Sequence, residues 1–196
     1  GNVAAGSVAL DVAQGVVVTG SLGATGKGAS ISLAGGTRLQ VGDGAATGVL
    51  TGNVHNEGTL AFNRSDVVSF AGAIDGKGAV VQQGTGTLVL TGTNSYSGGT
   101  VVKSGVLQGT TASLQGDIAN DATVTFDQAA AGSKGTYAGT MTGTGSLRKI
   151  GEGELELTTV NTYSGGTRID AGTLSASVTG ALGSGPVSVA GGAALR

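Results

Sequence analysis

The sequence predicts an all-β chain wound into a solenoid of about nine parallel coils, and three observations carry that prediction. Short runs of three to five residues alternate apolar and polar, each closed by Gly, Asn, Asp or Ser. Forty glycines against a single proline (Pro186) punctuate the chain every few residues, at a cost of about 1 kcal/mol each inside a helix. Finally, a long segment returns without a gap: Gly84–Gly109 (GTGTLVLTGTNSYSGGTVVKSGVLQG) reappears, at a spacing of 67, as Gly151–Ala176 (GEGELELTTVNTYSGGTRIDAGTLSA). Thirteen of the 26 aligned positions are identical, and they include the glycines, leucines and an Asn-x-Tyr-Ser-Gly-Gly-Thr core. Thr85, Thr87, Val89 and Lys103 become Glu152, Glu154, Glu156 and Asp170. Keeping packing and turn residues while changing charges is how a structural unit repeats.

The predicted strands are Val16–Thr19, Ile31–Leu33, Thr59–Phe62, Val67–Phe70, Thr87–Leu90, Thr100–Val102, Thr123–Phe126 and Glu154–Leu157. The longest glycine-free stretch, Asp117 to Ala131, holds the strand-favouring Thr123-Val124-Thr125-Phe126 rather than a helix. Further repeats join these strands. Val54–Asn63 returns as Ile118–Asp127 at a spacing of 64, and Phe70–Val81 as Tyr137–Arg148 at 67, which places a three-residue insertion in a loop at Ala129–Gly135. Ile31–Gln40 resembles Val187–Arg196. All six aromatics fall in repeat pairs: Phe62 with Phe126, Phe70 with Tyr137, Tyr96 with Tyr163.

A unit of this length is too long for one solenoid rung. Division into three coils of about 22 residues would set equivalent tyrosines three rungs, or ~14 Å, apart, in a rod of roughly 40 Å. A sandwich or barrel would carry more Asn-Gly and Asp-Gly hairpin turns than Asp43-Gly44 and Asp75-Gly76. A propeller would repeat at about 40–50 residues. The organisation expected is one continuous segment, 1–196, with internal repeats 54–109 and 118–176. In Glu154-Leu155-Glu156-Leu157 the leucines face inward and the glutamates outward.

Composition narrows the function. A net charge of −2 with 11% charged residues leaves no electrostatic footprint for nucleic acid, and no apolar run reaches the ~18 residues of a membrane span. Without cysteine, disulfides and thiol chemistry are absent. His55, the only histidine, has Ala119 as its repeat equivalent, and no Gly-x-Ser-x-Gly nucleophile accompanies it. The glycine motifs around Gly26-Lys27-Gly28, Gly76-Lys77-Gly78 and Gly143-Thr144-Gly145 lack the phosphate-loop pattern and read as coil corners. Arg148, Lys149, Glu152, Glu154 and Glu156 form one dense charged patch. Glu154 and Glu156, ~6.6 Å apart on a strand, pass a crude glycosidase spacing test; any outward pair passes it, and a solvated face is the favoured reading. No catalytic residue, metal ligand or cofactor is assigned.

The pattern Gly-x-Gly-x-Leu-x-Leu, then Asn-x-Tyr-Ser-Gly-Gly-Thr, a strand and Gly-x-Leu resembles the passenger-associated transport repeat of bacterial autotransporters. Copies span Gly84 to Leu107 and Gly151 to Leu174. The positions carrying it are Leu88, Leu90, Asn94, Tyr96, Gly98, Gly99, Thr100, Gly105 and Leu107, and again Leu155, Leu157, Asn161, Tyr163, Gly165, Gly166, Thr167, Gly172 and Leu174. The second copy departs at Thr159-Val160, where the first has Gly92-Thr93. Leu39–Asp66 and Gly180–Leu195 also resemble the connecting parts of such passengers. The resemblance implies a right-handed parallel β-helix, exported to the cell surface through a C-terminal outer-membrane β-barrel of the same polypeptide. On this reading the chain continues in both directions, with the barrel beyond Arg196. It further implies a stalk role that assists secretion and folding. A self-associating, adhesive flank is the second expectation and a glycan-cleaving enzyme the third.

Overall fold

A computed structural model describes residues 3–12 and 15–196. Among the described residues there is no helix; every strand pairing is parallel, and the strands stack into a solenoid of about nine turns. All eight strands expected from the alternation pattern are present, within a residue or two at their ends.

Each turn of the solenoid has three faces. Face I stacks Val8–Leu10, Ser30–Leu33, Asn53–Asn56 and Ile74–Asp75, and resumes with Lys134–Tyr137, Glu154–Leu157, Thr173–Ala176 and Ala194–Leu195. Between those two sheets Ser95 donates its N–H to Ile74 O and Asn94 its side-chain amide to Ser113 O, carrying the face across irregular backbone. Face II runs unbroken from Val16–Val18 through Thr59–Phe62, Ala79–Gln82 and Thr100–Val102 to Met141–Thr142. Face III begins with Val3–Ala5, Ser21–Ala24 and Val49–Thr51. It continues as a seven-stranded sheet from Val67–Phe70 through Thr123–Asp127, Ser146–Ile150 and Thr167–Ile169 to Val187–Val189.

The core is a set of inward columns, one residue per rung. Leu39, Leu60, Val80, Thr100, Ile118 and Met141 stack in register on face II. Leu88, Leu107, Val124 and Leu147 do so on face III. These side chains are buried, and each apolar one contributes roughly 1.5–3 kcal/mol on leaving water. Two aromatic pairs in repeat-equivalent places brace the interior, with ring centroids 5.9 Å apart for Phe62–Phe70 and 5.1 Å for Phe126–Tyr137, both tilted.

The rungs vary in length around the expected value of about 22 residues. Val54 pairs with Ile74, Leu60 with Val80 and Val80 with Thr100, 20 positions on, whereas Leu107 pairs with Val124, 17 on, and Val124 with Leu147, 23 on. The sequence repeat does not close on whole coils. Val54 lies on face I, but its equivalent Ile118 pairs with Thr100 on face II. Leu60 is on face II and Val124 on face III; Leu88 is on face III and Leu155 on face I. Each repeat thus spans three coils and one further face, so equivalent residues, the two tyrosines included, sit on successive faces rather than directly above one another. The physical reason is that all three faces present the same in-out alternation, so the length of the repeat need not be a whole number of coils. The loop that holds the three-residue insertion ends sooner than expected, since Lys134 and Gly135 already belong to a face I strand.

Candidate functional surface

The corners are where the repeated polar residues gather. Asn94 is buried; its Oδ1 accepts the Ile74 N–H at 2.9 Å and its amide donates to Ser113 O at 2.7 Å. Asn161 does the same with the Met141 N–H and Ala181 O, both at 2.6 Å. Each asparagine bridges the rung below to the rung above, supplying partners that the irregular corner backbone lacks. The buried Tyr96 hydroxyl pairs with Thr100 Oγ1 at 2.7 Å, and Tyr163 with Thr167 Oγ1 at 2.5 Å. Burial raises both phenol pKa values, that of Tyr163 to about 12. Leu88, Leu90, Leu107, Leu155, Leu157 and Leu174 point into the core.

Of each glycine pair, Gly99 and Gly166 have positive φ (78° and 91°). Gly98 and Gly165 instead lie where a Cβ would come within 2.5 and 2.6 Å of the backbone of Gly78 and Gly145 one rung below. Gly105 and Gly172 have positive φ as well. Thr159, which stands where the first copy has Gly92, uses its hydroxyl to bind Gly139 O at 2.6 Å.

The charged patch expected at Arg148–Glu156 does not exist as one surface. A corner separates its halves: Arg148 and Lys149 are on face III, Glu154 and Glu156 on face I. Lys149 is fully buried, stacked between Phe126 and Ile169. Its ammonium donates to Ile150 O, Gly151 O and Ala171 O at 2.8, 2.7 and 3.2 Å, and desolvation lowers its pKa. The alternation signal could not reveal this, because Lys149 occupies an inward position with a polar residue; its repeat partner Gln82, also buried, was the available hint. Glu154 and Glu156 point outward, as the alternation requires, and share Lys134 at 3.5 and 3.2 Å. Ser175 and Ser177 donate hydroxyls to them from the next coil, and the Ser177 bond, with that of Lys134, holds the Glu156 carboxyl below its usual pKa.

His55 stands between Ser32 and Asp75 in the face I ladder. Its Nδ1 pairs with the Asp75 carboxylate and its Nε2 lies 3.5 Å from Glu57 Oε1. Carboxylates at both ring nitrogens leave neither aimed at a hydroxyl, which is the arrangement of a surface charge cluster rather than of a general base. Among the described residues no group of three or more His, Cys, Asp or Glu has metal-site geometry.

Face III holds one further feature that the sequence did not suggest. Arg148 and Arg168 are register neighbours on adjacent rungs, and both Nε atoms donate to Asp170, at 2.5 Å each. Beside them runs a shallow trough of about 610 Å³.

Comparison with known proteins agrees with this geometry. A family model described as the passenger-associated-transport-repeat matches residues 80–108 and 147–176. The chain is 34% identical over 208 aligned residues to the adhesin BmaC autotransporter of Brucella suis biovar 1 (strain 1330), an alignment covering 91% of this chain and 6% of that relative. The chain thus spans a small fraction of the curated relative's length. No solved structure matches it. The chain is a β-solenoid segment of an autotransporter passenger, built on two passenger-associated transport repeats and exported through the outer membrane to the cell surface.

Proposed function

We propose that residues 1–196 act as a continuous, non-catalytic stretch of passenger stalk that displays a functional region and helps the passenger fold as it emerges. The observation that carries this reading is the pattern of change between the two repeats: inward leucines, corner asparagines, tyrosines and glycines stay, while outward residues vary. Each rung touches mainly its neighbours, so folding can propagate coil by coil behind the emerging chain. The C-terminal barrel of the same polypeptide is the partner that this role needs. In this reading the repeated Asn-x-Tyr-Ser-Gly-Gly-Thr positions are the closure points of the coils.

Replacing Leu155 and Leu157 together by Asp tests the role. Both side chains are fully buried, and uncompensated buried charge costs several kcal/mol per ion. The variant is expected to reduce surface display of the whole passenger while its barrel still inserts. Normal display of a protease-sensitive, unfolded stalk would refute folding assistance and leave the solenoid untouched.

An adhesive flank is the second reading, favoured by the curated relative's description as an adhesin. Side-by-side pairing of rods would appear as a concentration-dependent dimer in sedimentation of the chain.

A further inference from the structure

The trough on face III is built, rather than left over from packing. Its outer column is Val67, Thr87 and Val106 on the earlier rungs, then narrows to Thr123, Ser146 and Gly166. The parallel column, two residues along each strand, passes from the buried Thr125 to the solvent-facing Arg148 and Arg168, followed by Ser188. A floor of hydroxyls, bare glycine backbone and the Pro186 ring lies beside a wall of two arginines one rung, ~4.8 Å, apart. The first repeat has Val81 and Val101 at these two places, so the arginines are not part of the repeated packing code.

Asp170 organises the wall. It is partly buried, and each of its carboxylate oxygens takes the Nε–H of one arginine; those bonds hold its pKa below the usual range, keeping it ionised. Each guanidinium spends its Nε on Asp170 and keeps its terminal N–H groups for another acceptor, in the fork geometry that suits carboxylate or sulfate. Arg148 and Arg168 are about half and two-thirds exposed.

We propose that this trough binds an acidic glycan chain, its carboxylate or sulfate groups on Arg148 and Arg168 and its hydroxyls on Thr123, Ser146 and Ser188. All six aromatic rings are buried, so neither nucleobases nor neutral sugars find a stacking platform, and charge-assisted hydrogen bonds must supply the affinity. A peptide strand would find backbone partners only along Val187–Val189, the outermost strand of this sheet, because the ladders of Thr123–Asp127, Ser146–Ile150 and Thr167–Ile169 are paired on both sides. The site is independent of the stalk role: a stalk can carry it or lack it.

Binding of the whole chain to carboxymethyl-dextran, dextran sulfate and unmodified dextran tests the proposal. Retention on either charged polymer, and none on dextran, is expected; the preferred polymer tells carboxylate from sulfate recognition. R148Q with R168Q should weaken binding about tenfold or more, whereas K103Q, which removes an exposed positive charge outside the trough, should leave it unchanged. R148K with R168K, which keeps charge and removes the fork, should bind more weakly than the parent. D170N separates positioning from attraction: it adds net positive charge, yet should weaken binding because both guanidinium groups lose their anchor. Equal retention on dextran, an equal loss in K103Q, tighter binding by D170N or no binding at all would each overturn the site. Thermal unfolding of each variant shows whether a loss comes from misfolding, and the lysine pair, with its charges unchanged, decides the matter if the glutamine pair does not fold.

Discussion

Lys149 is the residue whose burial asks most of its surroundings. An ammonium leaves water only where carbonyl oxygens replace it; here the corner carbonyls of Gly151 and Ala171 do so, with that of Ile150, which also accepts the Gln128 N–H. Gln82, at the equivalent place in the first repeat, caps Gly84 O and Gly86 O with its amide at 3.0 and 3.1 Å. One inward polar arm per repeat thus satisfies a corner that bends too tightly to pair with itself. K149Q should therefore be tolerated, while K149M, of similar length but without a donor, should lower stability by about 1–3 kcal/mol through orphaned buried carbonyls. Equal denaturation midpoints for the two variants would show that the carbonyls find water instead. The phenols give a pH signature. With the folded-state pKa of Tyr163 raised to about 12, its contribution is complete below its unfolded value near 10 and lost as pH climbs through that interval. Stability should fall between about pH 10 and 12, with tyrosinate absorbance rising alongside unfolding, and Y163F should flatten the part of the fall that belongs to this side chain. An unchanged slope in Y163F would place the alkaline transition elsewhere.

At the scale of the element, strand and corner divide the labour differently from what sequence spacing conveys. Strands were legible because alternation is a local, two-residue property: Glu154 to Leu157 reads out-in-out-in, and its burial follows the same order. Corners were legible only as glycine pairs, because sequence does not distinguish a glycine needed for φ from one needed for space. A Cβ added at Gly99 would meet nothing closer than Asp117 O at 3.3 Å, so G99A should incur chiefly the positive-φ penalty of about 1–2 kcal/mol. A Cβ at Gly98 would lie 2.5 Å from the backbone of Gly78, and backbone cannot rotate aside as a side chain can. G98A should consequently lower the urea midpoint more than G99A, and the reverse order would contradict the close-approach account. The arginine trough was illegible for a related reason: Arg148 and Arg168 are distant in sequence, and only the length of the rung brings them into register. With a rung of about 22 residues between them they would not have met.

On the scale of the whole molecule, the repeat of three coils and one face makes a claim about interchangeability. If the copied unit is a strand with its corner, the three faces must be chemically equivalent enough for a strand to work on any of them. Removing residues 84–150 joins Gln83 to Gly151, a junction whose flanking sequences already follow one another in the repeat, yet it turns everything beyond by one face. Removing residues 79–98 instead deletes a single rung and preserves every face. Both variants are expected to fold cooperatively. The first should shorten the rod by about three rungs, ~14 Å, in solution scattering, and both should lower the denaturant m-value in proportion to the surface removed. Lys149, Phe126 and Tyr137 leave with the longer deletion, but their counterparts Gln82, Phe62 and Phe70 remain below the junction, so the core keeps one complete set of each. A folded one-rung variant beside an unfolded whole-repeat variant would show that the faces are not interchangeable, and the one-face advance would then mark a constraint on particular faces rather than the freedom of a three-sided rod.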